Sequence, residues 1–215
     1  GYYEDNAISG AGGTNVVNVI IVDFRGFDTF GEITVMALVA IAALAVLDGL
    51  QLRAYPPPAM READRHPIML SMLMRPLLPL ALVVSVYILL RGHNLPGGGF
   101  VAGLITSIAL ILQYVATGIN LAQARMRIDF LRVLAAGLII ATGTGLASLF
   151  FGQPFLTSAF THVHLPFIGD FELASAMIFD IGVYLVVVGA VLVIMSEFGV
   201  LSHRELPRLP VEGGR

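Results

Sequence analysis

Five apolar runs decide most of what this chain can become. They fall at about Phe30–Leu50, Ile68–Leu90, Gly99–Thr117, Asp129–Phe151 and Glu172–Phe198. Each is close to the ~20 residues an α-helix needs to cross a ~30 Å hydrocarbon core. Charge within them is sparse. The first holds Glu32 and Asp48, the second Arg75, the third none, the fourth Asp129 and Arg132 in its first turn, and the fifth Glu172, Asp180 and Glu197. In lipid each backbone N–H and C=O must be paired within the protein, so runs of this kind are helical. The expectation is an all-α integral membrane protein with about five transmembrane helices. Composition agrees, with 57% hydrophobic and 13% charged residues in 215, against ~45–50% and ~25% in soluble domains.

The residues that are missing exclude whole classes of chemistry. There is no cysteine, so disulfides, thiolate metal sites and cysteine nucleophiles are absent. A net charge of −3 removes the basic footprint of a nucleic-acid binder. No nucleophile–base pair, zinc motif, phosphate cradle or dinucleotide fingerprint occurs. No cofactor and no enzymatic activity are expected. Tryptophan is absent as well, which leaves Tyr and Phe for any interfacial belt.

The arginines orient the spans. Of the twelve basic residues, all Arg, ten lie on one side of a five-span alternation: Arg53, Arg61, Arg65, Arg75, Arg125, Arg127, Arg132, Arg204, Arg208 and Arg215. Only Arg25 and Arg91 lie on the other. The basic side is cytoplasmic by the positive-inside rule. The N-terminus is therefore expected outside and the C-terminus inside, with Gly152–Phe171 as an outer loop. Before the first span, Thr14–Phe27 is apolar but short and interrupted by Asp23, Arg25 and Gly26, and reads as an interfacial or re-entrant segment. The stretch 51–67, with Pro56, Pro57 and Pro58, reads as a solvated linker. The chain opens without Met and is expected to be a piece of something longer.

Ionisable groups inside a membrane are functional candidates by default. Glu32 begins the first span, where Thr29-Phe30-Gly31-Glu32 fits a capping box. Ion handling and capping are both open to it, and Asp23 and Asp28 would concentrate cations nearby. Asp180 lies eight residues into the fifth span, roughly 12 Å along a helix. It is too short to snorkel and needs a partner, for which Tyr184, one turn on, is available. Arg75 is expected to snorkel beside a kink at Pro76. His93, Pro96, Gly97, Gly98, Gly99 and Phe100 read as a tight turn between helices. His162 and His164 share a face if extended. With no third ligand evident in local register, no metal site is assigned there. Gly137, Ala141, Gly145 and Ser148 recur every three or four residues, a small face along which helices pack closely in lipid.

Two stretches resemble a known family. Thr14 to Val35, with Asn15-Val16-Val17-Asn18-Val19 and Gly31-Glu32-Ile33-Thr34-Val35, is similar to the carboxyl-terminal end of the A subunit of the Mrp-type multisubunit Na⁺/H⁺ antiporters. Arg75-Pro76-Leu77-Leu78-Pro79, Arg91 to Phe100, and Phe179-Asp180-Ile181-Gly182-Val183-Tyr184 resemble the B subunit of the same complexes. The resemblance implies an A/B junction, with the end of the A subunit fused to the B subunit. Residues 1–50 would be the A-like segment with one span, 51–67 a cytoplasmic linker, 68–202 a B-like four-helix domain, and 203–215 a cytoplasmic tail. It implies a multi-pass subunit of a bacterial plasma-membrane antiporter that exchanges Na⁺, or another monovalent cation, for H⁺, with the other antiporter subunits and lipid as partners. It places the family's acidic position on Glu32, with Asp28 and Asp180 as further ion-translocation candidates, and gives Pro96 and Phe100 structural roles. The alternative is a structural subunit in the membrane arm of a hydrogenase or another complex I-related assembly.

Overall fold

The computed structural model describes residues 15–20, 26–49, 53–54, 68–92, 95–117, 129–150, 152, 155–156, 160–165, 169–201 and 204–205. Six helices appear among them: α1 (Val16–Val19), α2 (Gly26–Gly49), α3 (Ile68–Arg91), α4 (Gly99–Thr117), α5 (Phe130–Phe150) and α6 (Ser175–Leu201). The last five are long and apolar enough to cross a membrane. Two small antiparallel ribbons accompany them. Strands β2 (Phe160–Leu165) and β3 (Gly169–Ala174) form a hairpin, and β1 (Arg53–Ala54) pairs with β4 (Arg204–Glu205). The helical membrane class stands, with the hairpin as an addition inside what reads from sequence as a plain loop.

Helix α6 is the hub. Helices α2, α4 and α5 all pack on it, and α3 packs mainly on α4. Its residues are apolar around the whole circumference, as a surrounded helix requires; Phe179, Val183, Val186, Val187, Ala190 and Val193 are all buried. Helix α2 presents Ile33, Ala37 and Ala40 to this core, and α5 presents Leu134 and Ala141.

Close approach comes from glycine. A Cβ on Gly137 would stand 2.7 Å from Val186 N and 2.8 Å from Gly182 O. One on Gly182 would stand 2.8 Å from Ala141 N, and one on Gly189 2.6 Å from Leu134 N. The α5 face of Leu134, Gly137, Ala141, Gly145 and Ser148 is therefore buried within this chain, against α6 and, at Gly145, against the Phe155 ring. Helix α5 opens on Asp129, whose Oδ1 accepts from Leu131 N and Arg132 N at 3.1 and 3.4 Å.

Several boundaries differ from the sequence expectation. Helix α2 starts at Gly26, so Thr29 is a buried helical residue and Glu32 lies in the second turn. The Thr29–Glu32 capping box is not formed. Apolar side chains on the face toward α6 extend the helix one turn past the expected start, through both Gly26 and Gly31. Helix α6 starts at Ser175, and Glu172 belongs to β3. Asp180 therefore sits about 8 Å, not 12 Å, from the helix start. Pro76 and Pro79 both lie inside the continuous α3, where each leaves the carbonyl four residues earlier without its usual amide. His93, Asp23, Arg25, most of the 51–67 linker and most of the tail lie outside the described residues.

Candidate functional site

One end of the bundle holds the glycine-rich turn, Asn15, Arg91, Asp28, Glu32 and Asp180. It gathers the starts of α2, α4 and α6 and the ends of α3 and α5. Helix α3 closes into the glycine-rich turn through Gly92 N to Leu89 O at 3.3 Å, Leu95 N to Arg91 O at 2.9 Å and Gly98 N to Ile88 O at 3.3 Å. The turn is built by backbone contact. A Cβ at Gly92 would fall 2.5 Å from Gly98 N, and one at Gly97 2.5 Å from Ile88 O. Gly98 has φ 121°, a conformation closed to L side chains. Pro96 and Phe100 are on the exposed side of this turn.

The turn is tied down from an unexpected direction. Asn15, beside α1, donates its side-chain amide to Gly92 O at 3.0 Å and Leu95 O at 2.8 Å. These carbonyls belong to the turn just beyond α3, where the backbone has no helical ladder to pair with. Nothing in the local sequence around Asn15 signals a partner nearly eighty residues away. Arg91, the last residue of α3, donates from Nη1 to Tyr87 OH at 3.0 Å and lies 5.1 Å above that ring.

Among the described side chains, Asp180 is the carboxylate buried at this end, 6% exposed. Gly99, the first residue of α4, lies so close to it that a Cβ there would meet Asp180 O and stand 3.1 Å from Oδ1. Gly103, one turn on, packs on Val187 and on Tyr184 O. The stripe Gly99, Gly103, Ser107 has the same four-residue spacing as the α5 face and obeys the same rule. In the sequence it is hidden, because its first glycine completes the run that marks the turn.

A chain of hydroxyls continues inward from this crossing. Ser85 donates to Ala102 O at 2.8 Å, Thr106 to Ser85 Oγ at 2.8 Å, and Thr106 Oγ1 meets Tyr184 OH at 3.0 Å. Ser85 and Thr106 are buried at 0% and 3% exposure. From their helix ends, Asp180 lies about 8 Å deep, Ser85 about 9 Å, Thr106 about 10 Å and Tyr184 about 14 Å. Three helices thus contribute to one hydrogen-bonded group of hydroxyls, Ser85, Thr106 and Tyr184, whose α6 member lies one turn beyond Asp180. Tyr184, suggested by sequence as a donor to Asp180, is joined here to Thr106. Hydroxyls both donate and accept, so such a group can pass a proton by reorientation. Ser85 and Thr106 are invisible to a search for charged groups.

Glu32 and Asp28 are in a different setting. Both are exposed on α2, one turn apart, on the side away from the buried face of Ile33 and Ala37. Glu32 lies about 9 Å along α2 from the same end of the bundle. Asp180 and Glu32 thus occupy similar depths but separate environments. Arg75 is exposed near the opposite end. Among the residues with described side chains, no three His, Asp or Glu groups come together as a metal site.

Comparison with known proteins supplies context. A family model described as the domain related to the MnhB subunit of Na⁺/H⁺ antiporter matches residues 69–193, and one described as the E subunit of MBH matches residues 1–62. The chain is 41% identical along its full length to a probable K⁺/H⁺ antiporter A/B subunit of Rhizobium meliloti, covering 23% of that protein. It is 48% identical, over 55% of its length, to the Na⁺/H⁺ antiporter B subunit of Bacillus subtilis, covering 82% of it. A chain of the Mrp complex from a Dietzia species superposes with TM-score 0.77 at 37% identity, over 92% of this chain and 22% of that one. A chain of the archaeal membrane-bound sulfane sulfur reductase superposes with TM-score 0.64 at 25% identity, over 95% of this chain and 84% of that one. The chain thus spans under a quarter of the Rhizobium relative and most of the Bacillus one.

Proposed function

The chain belongs to the family of domains related to the MnhB subunit of Na⁺/H⁺ antiporters, and on that premise we propose that it serves as one membrane subunit of a larger antiporter complex that exchanges a monovalent cation for protons. In this reading the chain is part of a transporter, and its partners are the other subunits, the lipid, and the ions themselves. The observation that carries a direct role in the ion route is the buried Asp180 together with the three-helix group of Ser85, Thr106 and Tyr184 hydroxyls, whose Tyr184 lies one turn further along α6. A scaffold needs no carboxylate at that depth, because an ionisable group in lipid is costly.

Glu32 and Asp28 extend the proposal. An exposed pair of carboxylates on a helix otherwise clothed in Val35, Leu38 and Val39 suits a face turned to a neighbouring subunit or a water-filled cleft. Cations gathered there would be handed to that neighbour. The polar end of the bundle is placed outside and the arginine-rich end in the cytoplasm, by the ten-to-two arginine split. Residues 1–50 form an A-like unit and 68–202 a B-like unit joined through 51–67; the two family models, ending at 62 and starting at 69, support that division. A second reading, a membrane-arm subunit of a hydrogenase-like complex, draws on the MBH match at residues 1–62; the higher identity to the Mrp chain favours the antiporter.

The test is an antiport assay in everted vesicles, paired with a native gel on the same membranes. Asp180→Asn, Thr106→Val and Glu32→Gln should each lower exchange about 10-fold or more with assembly intact, and Glu32→Asp should retain part. Full exchange in an assembled Asp180→Asn complex would retire the ion-route role.

A further inference from the structure

We propose that the exposed face of α3 is the docking surface for a transmembrane helix of another subunit, one that carries a carboxylate level with Arg75. Met72, Pro76, Pro79, Val83, Val86 and Leu90 recur at alternating spacings of four and three residues, and all six are exposed. That spacing is the ~3.5-residue period of a left-handed helix pair, the usual crossing in membrane bundles. The face lies opposite the one α3 uses within this chain, where Met74, Ser85 and Leu89 are buried and Ser85 donates to Ala102 O of α4. Helix α3 packs mainly on α4, so among the described residues the seam is uncovered.

Any face of an apolar helix can show that spacing; polar groups single this one out. Pro76 and Pro79 both fall on the seam, and neither has an N–H for the carbonyls of Met72 and Arg75. At membrane depth, oxygens freed by proline take donors from neighbouring helices, whereas acyl chains offer none. Arg75 immediately precedes Pro76, which puts it at the flanking position from which charged residues pair across such a seam. It stands seven residues into α3, about 10 Å along the axis, and three residues inside the span that begins at Met72. Arg75 is exposed and makes no ion pair among the described residues. Asp129, at the same end of the bundle, is held by Arg132 at 3.0 Å. A lipid phosphate would meet the guanidinium and leave the seam beneath it to acyl chains. A protein helix meets both demands, with a carboxylate for Arg75 and a hydroxyl or amide donor for the freed carbonyls. A charge pair at one point of an otherwise apolar seam also fixes its register. The inference rests on the proposed assembly with other subunits and not on the ion route.

The experiment is site-specific photo-crosslinking in the assembled complex. A benzophenone side chain is placed at Val83, the complex is purified and irradiated, and the adduct is mapped by mass spectrometry. The expected adduct joins a span of a different subunit that carries an Asp or Glu about 12 Å further toward the Arg75 end, the rise from Val83 to Arg75. On a native gel, Arg75→Gln should lower the fraction of chain found in the complex about 10-fold or more, and Arg75→Glu should lower it further. Changing the captured helix's carboxylate to Arg should then restore the Arg75→Glu complex. Adducts with phospholipid or with a second copy of this chain, a captured helix without such a carboxylate, or full assembly of Arg75→Glu overturns the proposal and leaves the assembly reading standing. A wild-type chain that migrates alone overturns both.

Discussion

Replacing Gly182 by Ala tests the central claim about how this bundle is held. The added Cβ would lie 2.8 Å from Ala141 N, 2.9 Å from Gly137 O and 3.0 Å from Ala141 Cβ. Two of these atoms are backbone, so no side chain can rotate away. Relief to ordinary contact, near 3.4 Å, requires α5 and α6 to part by about 0.6 Å. Insertion of one carbon into a packed interface costs about 1–3 kcal/mol. Against that, Ala gains about 0.8–1 kcal/mol over Gly in a helix interior. Gly143→Ala provides the control, because it lies on α5 with nothing within 4 Å of its Cβ position and collects the helical gain alone. The difference between the two variants should therefore be the whole overpacking cost, about 1–3 kcal/mol. Unfolding by titrated denaturing detergent, followed by circular dichroism, measures it. Gly137→Ala acts at the same crossing, so its double variant with Gly182→Ala should lose less than the two single losses combined. If Gly182→Ala and Gly143→Ala share a midpoint, the close α5–α6 contact is not what stabilises the bundle.

Three further expectations follow from particular contacts. Asn15→Ala removes one part-buried and one exposed hydrogen bond to the turn after α3 and should cost about 0.5–1.5 kcal/mol, seen as a lower thermal midpoint with helicity retained. Phe155→Ala removes a ring that meets Gly145 and stacks edge-on with Phe27 and Phe30; being only partly buried, it should fall at or below the low end of the ~3–5 kcal/mol for a core Phe, read in the same detergent titration. Cysteine at Thr157 should react with an impermeant outside reagent and cysteine at Ala122 should not; the reverse pattern would invert the proposed topology.

What can be read from the residues is the part governed by hydrocarbon. Span count and class follow from apolar length, and the small face of α5 follows from its period. Long-range polar geometry is out of reach. The Thr29–Glu32 motif satisfies a capping rule locally, yet packing of Gly26 and Ile33 against the rest of the bundle moves the true helix start past it. Ser85 and Thr106 carry no charge and so look like ordinary residues of apolar spans; only the α3–α4–α6 crossing makes them a hydrogen-bonded group.

The contact of α2 with α5 and α6 has a consequence for stoichiometry. Helix α2 lies in the region matched by one family model, and α3 to α6 lie in the region matched by another. Ile33, Ala37 and Ala40 on one side and Phe179, Val183 and Val186 on the other form a single apolar core across that division. Because one polypeptide carries both surfaces, their docking is unimolecular. Dilution in the plane of the bilayer cannot separate them, neither region can be produced in excess of the other, and each copy brings its matching surface at a fixed ratio of one to one.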